Sequence, residues 1–132
     1  MRIFPWFIAP VVALFAACTP DVMPQPDEGA ALFAKNCSTC HGPRAKGGKQ
    51  LARGKVAPDL TRIAFRNGGT FPEAQVLSQI DGYGRGKAGE VMPEFGSLLE
   101  GETVPVDIDG TLTPTPRPLA ALLAYLESIQ VP

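Results

Sequence analysis

Hydrophobic positions along this chain fall into segments whose periods differ. Leu119, Leu122, Leu123, Leu126 and Ile129 recur at three- and four-residue intervals within strong helix formers that open on Pro118, which predicts a helix over 118–129. Val76, Leu77, Ile80 and Tyr83 share one-face spacing after Pro72 and predict a helix over 72–81, broken by Gly82, Gly84 and Gly86. Another helix begins with Asp27 and Glu28, acids that complement a positive helix end, and continues through Asn36. Asp59 or a neighbour can cap a short helix through Phe65 that stops at Asn67-Gly68-Gly69. Between 103 and 113 the helical period gives way to alternation. There, apolar residues flank Asp109-Gly110 and predict a small β-hairpin, with Pro105 marking an exposed edge. The Gly-, Lys- and Arg-rich stretch 42–57 has no apolar period and reads as a solvated loop. The predicted fold class is all-α, with three to four helices and the hairpin before the last of them.

The first residues follow a different logic. Arg2 precedes an apolar run from Ile3 to Ala17 that ends in small residues directly before Cys18, the pattern of an export signal. The competing reading is a retained membrane helix, against which stand the shortness of the run and its interruption by Pro5 and Pro10. Leu14-Phe15-Ala16-Ala17-Cys18 resembles a bacterial lipobox, which implies cleavage before Cys18 and lipid on its sulfur. Phe15 departs from that pattern, and cleavage at a nearby site would leave a soluble protein instead. Residues 18–26 are proline-rich and read as an extended tether. The expected organisation is a signal over 1–17, a lipid-anchored tether over 18–26, and one domain over 27–132.

Candidate chemistry concentrates in Cys37-Ser38-Thr39-Cys40-His41. Two thiols and an imidazole at this spacing suit covalent attachment and axial ligation of a c-type haem, and export supplies a compartment consistent with it. The three cysteines of an exported chain cannot all pair as disulfides; two on haem and one on lipid leaves none over. A second axial ligand is then required. The chain has one histidine, so a bis-histidine site within it is excluded, and of three methionines Met1 goes with the signal and Met23 lies in the tether. Met92 remains, in a loop bounded by Gly89 and Pro93, with a soft thioether that suits iron. A formal charge of −1 with acids and bases nearly balanced gives no reason to expect nucleic-acid binding.

Beyond the haem motif, several positions resemble the class I cytochromes c across 29–129. Gly29 and Phe33 match the family's N-terminal helix, where the glycine permits close crossing by the C-terminal helix; Leu122 and Tyr125 match positions on that crossing helix. Pro58 resembles the proline whose carbonyl accepts the proton of the ligand histidine, and Met92-Pro93 resembles the methionine ligand loop. The resemblance implies a class I cytochrome c fold around one haem c held by Cys37 and Cys40, with His41 and Met92 as axial ligands. It further implies a monomer that carries single electrons between redox proteins or membrane oxidoreductase complexes, here on the periplasmic side of a bacterial membrane through lipid on Cys18. Tyr83 is a possible donor to Met92 or a haem propionate, and Arg62, Arg66 and Arg85 are possible propionate partners. The hairpin is a candidate shield for the haem edge or a partner contact. Three rivals stand beside this reading: a haem subunit of a larger oxidoreductase, an open-site peroxidase or gas-binding protein, and a haem-free thiol–disulfide lipoprotein.

Overall fold

The computed structural model describes residues 23–83 and 90–132, so the signal segment, Cys18, Gly84, Arg85, Gly86 and Gly89 lie outside the described residues. The first helix, α1, spans Pro26–Asn36. Pro26 occupies the first turn, where its missing N–H costs nothing, and the side chains of Gln25 and Glu28 close a reciprocal capping box. Pro24 is buried, so the chain is already packed before 27 and the expected boundary between tether and domain falls inside this first element. A single turn, α2 (Ser38–His41), continues from α1 with Cys37 between them, and α3 (Ile63–Arg66) follows a 3-10 turn at Leu60–Arg62. Helix α4 covers Glu73–Asp81 and α5 covers Arg117–Ser128.

Strands β1 (Thr103–Ile108) and β2 (Thr111–Pro116) form the expected antiparallel hairpin, in register Val104 with Thr115 and Val106 with Thr113. Asp109 and Gly110 both take positive φ, 51° and 83°, as a two-residue hairpin turn of the I′ kind requires. Pro105 faces Pro114 on the solvent side, where neither is asked to donate. The opposite face buries Val104, Val106 and Thr115, and both strands pack on α5. The hairpin is therefore part of the core.

The core is organised by the crossing of α1 and α5, the most extensive contact between helices among the described residues. Leu119, Leu122, Leu123 and Leu126 turn inward from α5, and Phe33 meets Tyr125 with ring centroids 5.3 Å apart at a tilt of 48°. Gly29 makes the close approach possible, because a Cβ there would stand 2.0 Å from the Ala121 carbonyl oxygen. Arg117 binds the Glu28 carboxylate at 2.9 Å across the helix N-termini and holds that carboxyl below the usual range. Gln130 secures the far end: its amide donates to the Leu60 carbonyl at 2.8 Å and accepts from the Ala64 N–H at 2.9 Å.

Two local expectations are corrected. Tyr83 does not share the buried face of α4 and is 82% exposed, because Gly82 adopts φ 94° and turns the chain away after Val76, Leu77 and Ile80. The 42–57 stretch is more ordered than a solvated loop: it contains a 3-10 turn at Ala52–Gly54, a bridge between Gln50 and Val56, and the fully buried Ala45. No helix among the described residues is long and apolar enough to cross a membrane.

Candidate haem site

The Cys37–His41 cluster follows directly on α1, with Cys37 as both the C-cap of that helix and the N-cap of α2. Cys37 N–H donates to Phe33 at 2.8 Å and His41 N–H to Cys37 at 3.0 Å, so the motif inherits its direction from α1. Gly42, with φ 77°, ends this run. His41 is therefore presented at a helix end and is 8% exposed. Its Nδ1 lies 3.2 Å from the Pro58 carbonyl oxygen. Since a carbonyl can only accept, this contact is a hydrogen bond in the tautomer protonated at Nδ1, which leaves the Nε2 lone pair available to a metal.

Backbone pairing brings Pro58 to that place. Gly48 donates to Ala57, Ala57 donates to Lys49, and Gly47 donates to the His41 carbonyl at 2.8 Å. Gly47 takes φ 65°, and a Cβ there would lie 2.3 Å from the Ala57 oxygen and 2.4 Å from the Pro58 oxygen. On the other side, Asp59 accepts from the Thr61 N–H at 2.8 Å and the Thr61 hydroxyl at 2.6 Å. The Thr61 hydroxyl bond holds the Asp59 carboxyl below the usual range, so the cap persists at neutral pH.

His41 opens onto a cavity of about 400 Å³, within the size range of cofactor sites. Phe33, Leu60, Ile63, Ile80, Leu122 and Leu126 supply apolar wall, and Cys37, His41, Pro58 and Met92 all line the same space. Cys40 is half-buried on the same turn but does not line the cavity. His41 comes from α2 and Met92 from the segment after α4. Met92 stands against the C-terminal part of α4, its Sδ accepting from Gln79 Nε2 at 3.7 Å. Lys55, Arg66 and Glu90 are the charged residues of the lining.

This donor set fits the expected haem. An imidazole nitrogen and a thioether sulfur border an apolar space, cysteine sulfurs lie on the same turn as the imidazole, and Arg66 and Lys55 offer positive charge to propionates. Of the arginines considered above, Arg66 lines the cavity while donating to the Asp59 carbonyl at 2.8 Å. Arg62 instead stacks over the Phe65 ring, 4.1 Å from its centroid, and Arg85 lies outside the described residues. Neither Tyr83 nor any hairpin residue lines the cavity, so the hairpin does not shield this site. The Gln79 contact was not anticipated from sequence; its placement beside Val76 and Ile80, at the border of the α4 apolar face, is the signal that could have found it.

Cys37 lacks the lowered pKa of an attacking redox thiol. Burial, with a smaller contribution from neighbouring Cys40, pushes the Cys37 thiol up to about 11, whereas an attacking cysteine needs a lowered value. The flanking elements are α1 and a glycine-rich segment, not the strand–helix–strand unit of a thiol oxidoreductase.

Comparison with known proteins agrees with this geometry. The cytochrome c family matches residues 26–130. The FixP subunit of the cbb3-type cytochrome c oxidase of Azorhizobium caulinodans is 33% identical over 97 residues, covering 74% of this chain and 30% of that protein. The chain thus spans less than a third of the length of this relative. No solved structure matches significantly. A family match over nearly the whole described domain, on a fold that gathers the cysteine–histidine turn and a methionine around one apolar cavity, makes this chain a member of the cytochrome c family, proteins that carry electrons on covalently bound haem c.

Proposed function

We propose that this protein is a monohaem electron carrier with His41 and Met92 as axial ligands, Cys37 and Cys40 as attachment points, and Cys18 as a lipidated anchor on the periplasmic side of a bacterial membrane. The observation that carries the reading is the convergence of His41, Met92 and Cys37 on one apolar cavity. Bound haem supplies a one-electron iron couple. Pro58 orients the His41 ring and strengthens it as a donor, while the soft Met92 thioether favours the lower oxidation state. The apolar walls limit water around the site, and Arg66 and Lys55 offset propionate charge. If His41 and Met92 both held the iron, no site would remain for substrate, and the protein would act by brief docking with a donor and then an acceptor. We expect it to do so as a monomer.

The decisive experiment is the optical spectrum of the haem-loaded protein in both oxidation states. A low-spin haem with the weak far-red band of sulfur on ferric iron is expected. A high-spin haem would favour the open-site rival, and an absence of haem would overturn the reading altogether.

A place in a larger oxidase assembly is the second reading, supported by the similarity to an oxidase subunit. Membrane fractionation separates the two. Cys18→Ala is expected to move the protein from the membrane pellet to the soluble fraction; retention together with oxidase activity would instead favour a subunit held by its partners.

A further inference from the structure

We propose that the outer face of the β1–β2 hairpin is a docking surface for a basic, partly apolar face of a neighbouring subunit in an oxidase assembly, remote from the haem cavity. The inference rests on the second reading above, a place in such an assembly, and names the surface that would make the contact. Side chains of the two strands alternate between two faces. Val104, Val106 and Thr115 are buried, on the side that packs on α5, while Pro105, Asp107, Leu112 and Pro114 stand exposed on the other. Cross-strand pairing sets Pro105 against Pro114 and Asp107 against Leu112, which is 68% exposed. None of these residues lines the cavity.

The exposed face is rigid. Its prolines have a fixed φ, and the Asp107 carboxylate accepts from the Gly110 N–H at 2.8 Å, tying the turn to β1. A surface with little freedom left to lose is bound at lower entropic cost. Nor do its edges invite a further strand. Across a two-residue turn Ile108 and Thr111 form a hydrogen-bonded pair, so the alternation puts Pro105, Pro114 and Pro116 where an N–H would point out from the sheet. Proline has no N–H to offer there, which blunts both edges against strand addition. A partner therefore meets the face.

Charge selects the partner. Between positions 88 and 116 the chain has no Lys, Arg or His, while Glu100, Glu102, Asp107 and Asp109 lie on or beside the hairpin. Arg117, the next cation, is paired with Glu28. Glu73 from the start of α4 and Glu127 from the end of α5 join these acids: burial first, then Glu127, Asp109 and Asp107, push the Glu73 carboxyl above the usual range. Like charges from three elements thus gather near the hairpin tip, and cationic side chains of a partner would relieve their repulsion. An apolar centre of Pro105, Pro114 and Leu112 within an acidic surround has the anatomy of a protein interface. Lys55 and Arg66 give the cavity the opposite sign, so a cationic partner is steered to the hairpin and leaves the cavity open to a donor or acceptor.

The test uses the haem-loaded full chain, as wild type, Leu112→Lys and Leu98→Lys, in membranes that contain a cbb3-type oxidase. A carbodiimide, which joins a carboxylate to a lysine in contact with it, is followed by peptide mass spectrometry, and oxidase activity is followed through size-exclusion chromatography in mild detergent. Wild type is expected to elute with oxidase activity and to be joined through Glu102, Asp107 or Asp109 to lysines of an oxidase subunit. Leu112→Lys puts a cation at the centre of the face and is expected to cut that product about tenfold, as loss of a central anchor does, with haem spectrum and potential unchanged. Leu98→Lys makes the same change at a leucine 70% exposed in the 3-10 turn Gly96–Leu98, and is expected to leave the product at its wild-type level. Equal yield in Leu112→Lys, an equal loss in Leu98→Lys, products through Glu90 or Glu94 alone, or products joining two copies of this chain would each overturn the hairpin assignment. A haem-loaded protein that elutes apart from oxidase activity would overturn the assembly reading with it and leave the carrier reading standing.

Discussion

Replacing Gly29 by alanine is expected to remove much of the stability of this protein, and valine to prevent folding. Two effects oppose each other. Alanine is the better helix former by about 0.8–1 kcal/mol, so on propensity alone the change would stabilise α1. The new Cβ, however, would lie 2.0 Å from the Ala121 carbonyl oxygen, 2.6 Å from its carbonyl carbon and 2.6 Å from the Tyr125 Cβ. None of these is the free end of a flexible side chain. Relief requires α1 and α5 to move apart along their contact, with loss of the Phe33–Tyr125 stack and loosened packing around Leu122, which is 1% exposed. Overpacking of a close-packed core costs about 1–3 kcal/mol even where side chains can adjust. With rigid backbone on one side, a net loss on the order of 3 kcal/mol is expected, a large share of the about 5–15 kcal/mol typical of a domain. Urea denaturation of the haem-loaded protein checks it, with a midpoint equal to or above wild type counting against the account.

Met92→Ala carries the largest functional effect. Removing the sulfur should abolish the far-red band, convert ferric haem toward high spin as water enters, and lower the potential by on the order of 0.1–0.2 V, within the roughly 0.8 V that axial ligands command. Met92 is also packed against the core, so truncation to alanine removes contacts as well as the proposed ligand. Met92→Leu separates the two. Leucine nearly conserves volume, a swap that costs less than about 1.5 kcal/mol, yet supplies no lone pair. Both variants should lose the band and the potential, while only alanine should also lose appreciable stability. A leucine variant with wild-type spectrum and potential would remove Met92 from the ligand set.

Residues that act within one turn, or repeat along one face, were legible before any coordinates. The Cys37–His41 spacing fits a single helical turn, the α5 stripe of leucines can only be the inner face of an amphipathic helix, and Asp109-Gly110 is a pair suited to the two positive φ values that the turn uses. Met92 became the candidate by elimination, because the chain holds one histidine and three methionines. The reading failed where a side chain's environment depends on a distant segment. Tyr83 continued the period of α4 on paper, yet the left-handed Gly82 rotates it outward. Arg62 and Arg66 look equivalent in sequence, but only the second reaches the cavity, the first being taken by Phe65.

What the sequence by itself determined, then, is the set of local elements and the type of metal chemistry available, since period, capping and donor identity are properties of neighbouring residues. The resemblance had pointed to the Pro58 carbonyl for Nδ1 of His41, whereas tertiary structure alone decided that Gln79 meets the Met92 sulfur and that the hairpin packs on α5 and away from the cavity. Those contacts join residues far apart in the chain. Their distances follow from how closely the helices pack, and that closeness is itself set by where a missing Cβ, as at Gly29 and Gly47, lets backbone approach backbone.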